Sequence, residues 1–169
     1  MTRIRPQRPP LYTPEQRLRR DQTVWTTVQG VLAPLQFLAF AVSLVLVVRY
    51  LTTGAGYEAA TGSILVKTGF LYVIMITGAV WEKVVFGQYL LAPAFFWEDV
   101  FSFAVIALHT AYLVALFTHL LSPTALMTLA LAAYTAYAIN AAQFIWKLRM
   151  ARLDLASRDR SAARQGLAA

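Results

Sequence analysis

VQGVLAPLQFLAFAVSLVLVV, Val28 to Val48, contains no charged side chain and only three polar ones, Gln29, Gln36 and Ser43. As an α-helix this run is about 31 Å long, the thickness of a bilayer's hydrocarbon core. It is too long for a signal-peptide core and lacks a small-residue cleavage site, so it reads as an uncleaved membrane span. The three polar residues recur every seven positions and share one helix face, which is expected to point inward. Pro34 removes a backbone donor between the glutamines and is expected to kink the helix. Arg49 and Tyr50 mark the far interface, one by snorkelling and the other among headgroups.

Three further apolar runs follow, giving expected spans of about 27–49, 63–82, 98–121 and 124–146. The composition agrees: 59% of residues are hydrophobic and 14% charged, where a soluble domain carries about a quarter charged. The expected fold is all-α, a polytopic bundle of four transmembrane helices, with a soluble helical bundle as the weaker alternative. The chain then divides into a basic, proline-rich tail over 1–23, a transmembrane domain over 24–150 and a second basic tail over 151–169. Within the first tail, Pro6, Pro9, Pro10 and Pro14 lie among arginines, a composition expected to stay mobile or rest on headgroups. Thr13 reads as a helix cap with Pro14 at the first position of a short interfacial helix running toward Trp25.

Net charge is +7, distributed as +4 over residues 1–26, +4 over residues 147–169 and −1 between them. The positive-inside rule explains the tails without invoking nucleic acid and puts both termini in the cytoplasm. Four spans then place the connector between the second and third helices on that side too. Zero cysteines excludes disulfides, thiolate metal sites and cysteine nucleophiles.

That connector begins and ends in charge. Trp81-Glu82-Lys83 and Trp97-Glu98-Asp99 flank an apolar segment, Val84 to Phe96, with Gly87 inside it and a helix expected to restart after Pro93. The segment is expected to be a helical extension, a re-entrant piece or an in-plane lid. Carboxyls set against so much apolar surface are costly and mark a candidate site. A partly desolvated Glu98, Glu82 or Asp99 can act as general acid, the bland alternative being an interfacial carboxylate paired with Lys83 or Lys147.

On the third helix Glu98, Ser102, His109 and Tyr112 share a face, with His109 about 16 Å deeper than Glu98. On the fourth, Tyr137, Asn140, Gln143 and Lys147 recur at steps of three and four. Together with Gln29 and Gln36 these groups converge on the cytoplasmic half of the bundle, either as a site or as ordinary interhelical hydrogen bonding. Trp81, Trp97 and the phenylalanines between them suit either an interfacial belt or a slot for a flat ring. Lys67 is expected to snorkel outward, His119 to be solvated, and Gly69 and Gly78 to let helices approach closely.

The blocks TPEQRLRRD, WTTVQGVLAPLQF, GAVWEKVVFGQYLLAPAFFWEDVFS, ALHTAY and NAAQFIWKLRMARL resemble the vinyl bacteriochlorophyllide hydratase family over about Thr13 to Leu153. The resemblance implies a cofactor-independent hydro-lyase. It would add water to the 3-vinyl group of a chlorophyllide or bacteriochlorophyllide, giving the 3-(1-hydroxyethyl) derivative in bacteriochlorophyll biosynthesis. It also implies residence in a bacterial inner, intracytoplasmic membrane. The partners expected are the pigment, the lipid bilayer and neighbouring pigment-biosynthesis enzymes.

Read with that chemistry, Glu98 or Glu82 donates the proton, and the other carboxylate or Asp99 orients the water. His109, Ser102, Tyr112, Gln29, Gln36, Asn140, Gln143, Trp81, Trp97, Lys83 and Lys147 are the expected substrate contacts. Lys83, Lys147 or Arg149 would meet the pigment's propionate, and His109 could be an axial ligand to its magnesium, the protein holding no metal of its own. A non-catalytic pigment-binding or assembly protein, and a small channel or transporter, are the alternatives.

Overall fold

A computed structural model describes residues 10–166; Pro6 and Pro9 of the expected tail lie outside the described residues. The described chain is all-helical: α1 (Pro14–Gln22), α2 (Val24–Thr53), α3 (Tyr57–Phe86), α4 (Phe96–Phe117) and α5 (Pro123–Gly166). The last four are each long and apolar enough to cross a membrane. Their outward faces present Phe37, Val45, Ile76 and Phe117, an apolar exterior suited to lipid.

Local sequence sets the boundaries. Thr13 forms a reciprocal capping box with Gln16, and Pro14 occupies the first helical position where its missing N–H costs nothing. The short helix stops at Gln22 rather than Trp25, because Thr23 turns extended and caps α2 through its hydroxyl. Gly54, Gly56 and Gly87 take left-handed backbone at helix ends. A glycine has no Cβ to clash there, so the chain reverses at little cost.

The four long helices form two hairpins, α2–α3 and α4–α5, with dense contact within each hairpin and sparse contact between them. One core cluster, including Val47, Ile64, Tyr112, Met127 and Tyr134, fills the end of the bundle opposite the chain termini. A second, built on Tyr12, Val85 and Phe95, closes the end where α1, the 87–95 connector and Phe144 meet.

Several expectations need correction. α2 is longer at both ends than the expected 27–49, running from Val24 to Thr53. α4 starts at Phe96 and ends at Phe117, short of Leu121, where His119 adopts φ 52° and turns the chain toward α5. α5 continues well past Trp146 to Gly166, since no Gly or Pro interrupts residues 124–165.

Gly69 has nothing within 4 Å of an added Cβ, and Gly78 meets only the Gln29 side chain, at 3.8 Å. Neither marks a close approach of helix backbones. Lys67 is fully buried rather than snorkelling, because it projects from the same inward face as Ile64 and Leu71. The N-terminal segment is also docked: Tyr12 is 7% exposed, its ring stacked on Phe86 with centroids 5.8 Å apart and Arg20 over its other side.

Candidate active site

The connector resolves into three last residues of α3, a nine-residue irregular loop at 87–95, and the first turn of α4. Gly87, at φ +86°, ends α3 with its N–H on Lys83 O, and Lys83 Nζ donates back to Gly87 O at 2.8 Å. Leu90 and Leu91 then take positive φ, an unusual conformation for leucine that needs support from elsewhere. The support is acidic. Leu91 N–H donates to Asp99 Oδ2 at 2.6 Å and Ala92 N–H to Glu82 Oε2 at 3.2 Å.

Two carboxyls on different helices therefore clamp adjacent amides of the loop. The adjacent amides hold the two carboxyls side by side. Both side chains are buried, Glu82 at 5% and Asp99 at 3% exposure.

Glu98 has a different partner. Its Oε2 lies 2.5 Å from Lys147 Nζ on α5, and that ammonium also stands 5.0 Å from the Phe95 ring centroid. Of the three acids on this connector, Glu82 and Asp99 hold the loop amides and Glu98 pairs with Lys147.

One turn deeper, Ser102 Oγ donates to Glu98 O at 2.9 Å and accepts from Asn140 Nδ2 at 2.7 Å. The side-chain oxygens of Asn140, Gln143 and Gln36 are enclosed and unpartnered. Deeper still the hairpins are locked together. Lys67 Nζ sits 2.5 Å from His109 Nε2, and Ser43 Oγ 2.5 Å from Tyr134 Oη. The junction between the hairpins is thus bonded across its far half by Lys67–His109 and Ser43–Tyr134, and unpartnered oxygens occur in both halves, Thr61, Thr68 and Tyr112 in the far one and Gln36, Asn140 and Gln143 in the near one.

His109 Nδ1 lies 2.7 Å from Val105 O, so that nitrogen carries the hydrogen and Nε2 accepts from Lys67. Both ring nitrogens are engaged, which removes the lone pair an axial magnesium ligand would use. Gln29 belongs to the α2–α3 seam, donating to Thr77 Oγ1 at 2.8 Å. Tyr112 lies in the far cluster, about 21 Å along α4 from Glu98. Trp97 is 66% exposed and packs edge-on to Phe96, facing away from the site.

Trp81 turns inward, with Nε1 donating to Thr26 Oγ1 at 2.9 Å and its ring 5.8 Å from both Phe86 and Phe95. Phe95 in turn stacks on Phe144 at 5.9 Å. The aromatics between the two charged clusters therefore pack on one another beside the carboxyls. Sequence reasoning missed two participants. Lys67 precedes Glu82 by fifteen residues, close to four helical turns, which already places both on one face. Tyr12 immediately precedes the Thr13 cap, where an apolar residue commonly staples the chain entry.

Fold and site together define a multi-pass membrane protein with a buried pair of carboxyls at one end of a helical bundle. Residues 12–150 match the family described as 2-vinyl bacteriochlorophyllide hydratase. The chain is 72% identical over 155 residues to a 2-vinyl bacteriochlorophyllide hydratase of Rhodobacter capsulatus, covering 91% of this chain and 90% of that protein. It is 73% identical over 146 residues to the Cereibacter sphaeroides protein of the same description, covering 86% and 90%. No solved structure matches it. The chain belongs to the 2-vinyl bacteriochlorophyllide hydratase family.

Proposed function

We propose that this protein is a hydro-lyase that adds water to the ring vinyl group of a bacteriochlorophyllide, giving the 1-hydroxyethyl substituent, with Glu82 and Asp99 as the couple that moves the protons. The family name numbers the vinyl carbon 2; it is the 3-vinyl group of current ring numbering. Membership of the hydratase family supports the reaction, and the two buried carboxyls of Glu82 and Asp99, held on adjacent loop amides, are the observation that supports the site.

The protonated member of the couple gives its hydrogen to the terminal vinyl carbon, forming a C–H bond and leaving a carboxylate. The cation at the inner carbon is delocalised into the macrocycle. Water attacks that carbon, a C–O bond forms, and the second carboxylate accepts the released proton. The couple ends with one proton as it began, on the other member, and proton transfer between the two neighbouring carboxyls resets it. No redox step is involved, so this reading calls for no cofactor.

Lys147, paired with Glu98 beside the couple, is the cation that meets the pigment's propionate in this reading. The 87–95 loop, pinned by the same carboxyls that do the chemistry, acts as the lid that keeps bulk water out. The basic residues at both chain ends favour a cytoplasmic location for the site, in a bacterial inner membrane where neighbouring pigment enzymes can exchange the product.

The test is direct. Membranes containing the protein are supplied with a 3-vinyl chlorophyllide and the long-wavelength absorption band is followed. Loss of a conjugated vinyl moves that band to the blue and yields a hydroxyethyl pigment, and the absence of both overturns the proposal.

A further inference from the structure

The buried amide of Asn140 is oriented by a neighbour that leaves it no choice. Ser102 Oγ spends its single hydrogen on Glu98 O, so it can only accept from Asn140. The group facing it must be the Asn140 NH2, at 2.7 Å, and the amide oxygen is therefore the end that points elsewhere. Asn140 is 8% exposed, and its Oδ1 has no hydrogen-bond partner. A carbonyl oxygen buried in this way is costly unless something occupies its lone pairs.

Its level in the bundle is set by its neighbours. Asn140 lies seven residues before Lys147 on α5, about 10 Å deeper, and Ser102 lies four residues beyond Glu98, about 6 Å deeper. The charged pair sits at one end of this interval and the Lys67–His109 lock at the other. A chlorin ring inserted between the hairpins, with its propionate at Lys147, brings its centre to the level of Asn140 and leaves its rim beside the acid couple.

The centre of a bacteriochlorophyllide holds magnesium, a hard cation that prefers oxygen ligands. We infer that Asn140 Oδ1 is the axial ligand of the substrate's magnesium, and that Ser102 is the positioning residue that turns the amide oxygen toward it. His109 cannot take the role while Lys67 and Val105 occupy its two nitrogens. This inference rests on the hydratase reading for the identity of the pigment, and on the Asn140–Ser102–Glu98 geometry for the ligand.

The experiment compares binding of a magnesium chlorophyllide with that of the same pigment lacking its metal, using the full chain in lipid nanodiscs. The wild-type protein should bind the magnesium form about tenfold more tightly. Asn140→Leu should bind both forms equally, Asn140→His should restore the preference with a changed magnesium-coordination band in the resonance Raman spectrum, and Gln36→Leu should keep it. Ser102→Ala, which leaves Oδ1 in place but unsteered, should lower the preference and supplies a second reading if Asn140→Leu does not fold.

A preference that survives in Asn140→Leu or in Ser102→Ala overturns the inference, as does one that disappears with Gln36→Leu instead. Vinyl hydration by the wild-type protein is followed in the same samples. Hydration without an Asn140-dependent metal preference refutes the ligand alone, whereas an Asn140-dependent preference without hydration refutes the hydratase reading alone.

Discussion

Glu82 and Asp99 accept hydrogen bonds from the consecutive amides of Ala92 and Leu91, so one loop binds the end of α3 to the start of α4 through its two carboxyls. In the proposed mechanism this pair both anchors the loop and moves the protons, and substitution can separate the two roles.

A glutamine or asparagine keeps an acceptor for the loop amide but has no acidic proton. Glu82→Gln and Asp99→Asn should each retain folding and pigment binding while turnover falls by about 10²–10⁴-fold. Glu98→Gln should fall by less than about tenfold, because it loses an ion pair and not the acid. Rates are measured from the blue shift, and folding from thermal melts in detergent. Full turnover in both Glu82→Gln and Asp99→Asn would remove the couple from the mechanism.

Lys67 and His109 form a buried polar pair surrounded by rings, with Lys67 Nζ 4.3 Å from the Tyr137 centroid. Lys67→Met leaves the His109 Nε2 acceptor buried and unmatched, which should cost about 1–3 kcal/mol. Adding His109→Leu should recover much of that loss, since replacing both partners by apolar groups is far cheaper than removing one. A double-mutant cycle by thermal unfolding measures it, and additive losses would show that the pair is not coupled.

Gly87 sits at φ +86° with open space where a Cβ would stand. Gly87→Ala is therefore strained only by its backbone and should cost about 1–2 kcal/mol. The strain falls on the residue that starts the 87–95 loop, so turnover should drop along with stability. An unchanged melting temperature would mean that the loop adopts another conformation without loss.

Tyr12 gives a pH dependence that can be signed. Burial against Phe86 and Phe95 pushes its hydroxyl above the ordinary 10.0, partly offset by Arg20. The neutral phenol is the form favoured in the fold. Its contribution is complete below 10.0 and is lost as pH rises through the higher folded value. Limited proteolysis of the N-terminal segment should accelerate in that alkaline window. Tyr12→Phe should remove this part of the pH dependence, and equal release in both proteins would exclude Tyr12 as its source.

Much of the site was legible in the chain because acids and amides stand out in apolar runs. Glu82, Glu98, Asp99, Ser102, Asn140 and Lys147 do meet at one end of the bundle. The roles among them were not legible. Glu98 and Asp99 are adjacent in sequence, yet a helix turns neighbours about 100° apart, so one meets Lys147 and the other meets Glu82. Trp97, between the same clusters, turns outward for the same reason.

The sequence by itself determined four apolar helices, the end of the bundle that collects the carboxyls, and the family, because span formation follows from the local transfer energy of each run and the family from its residues in order. Only the tertiary structure decided that Lys67 turns in to His109, that Tyr12 docks on Phe86 and Phe95, that Glu98 is ion-paired, and that Glu82 and Asp99 hold adjacent amides of one loop. Those choices depend on the rotation and depth of one helix against another, which many distant contacts set together and no single run of residues encodes.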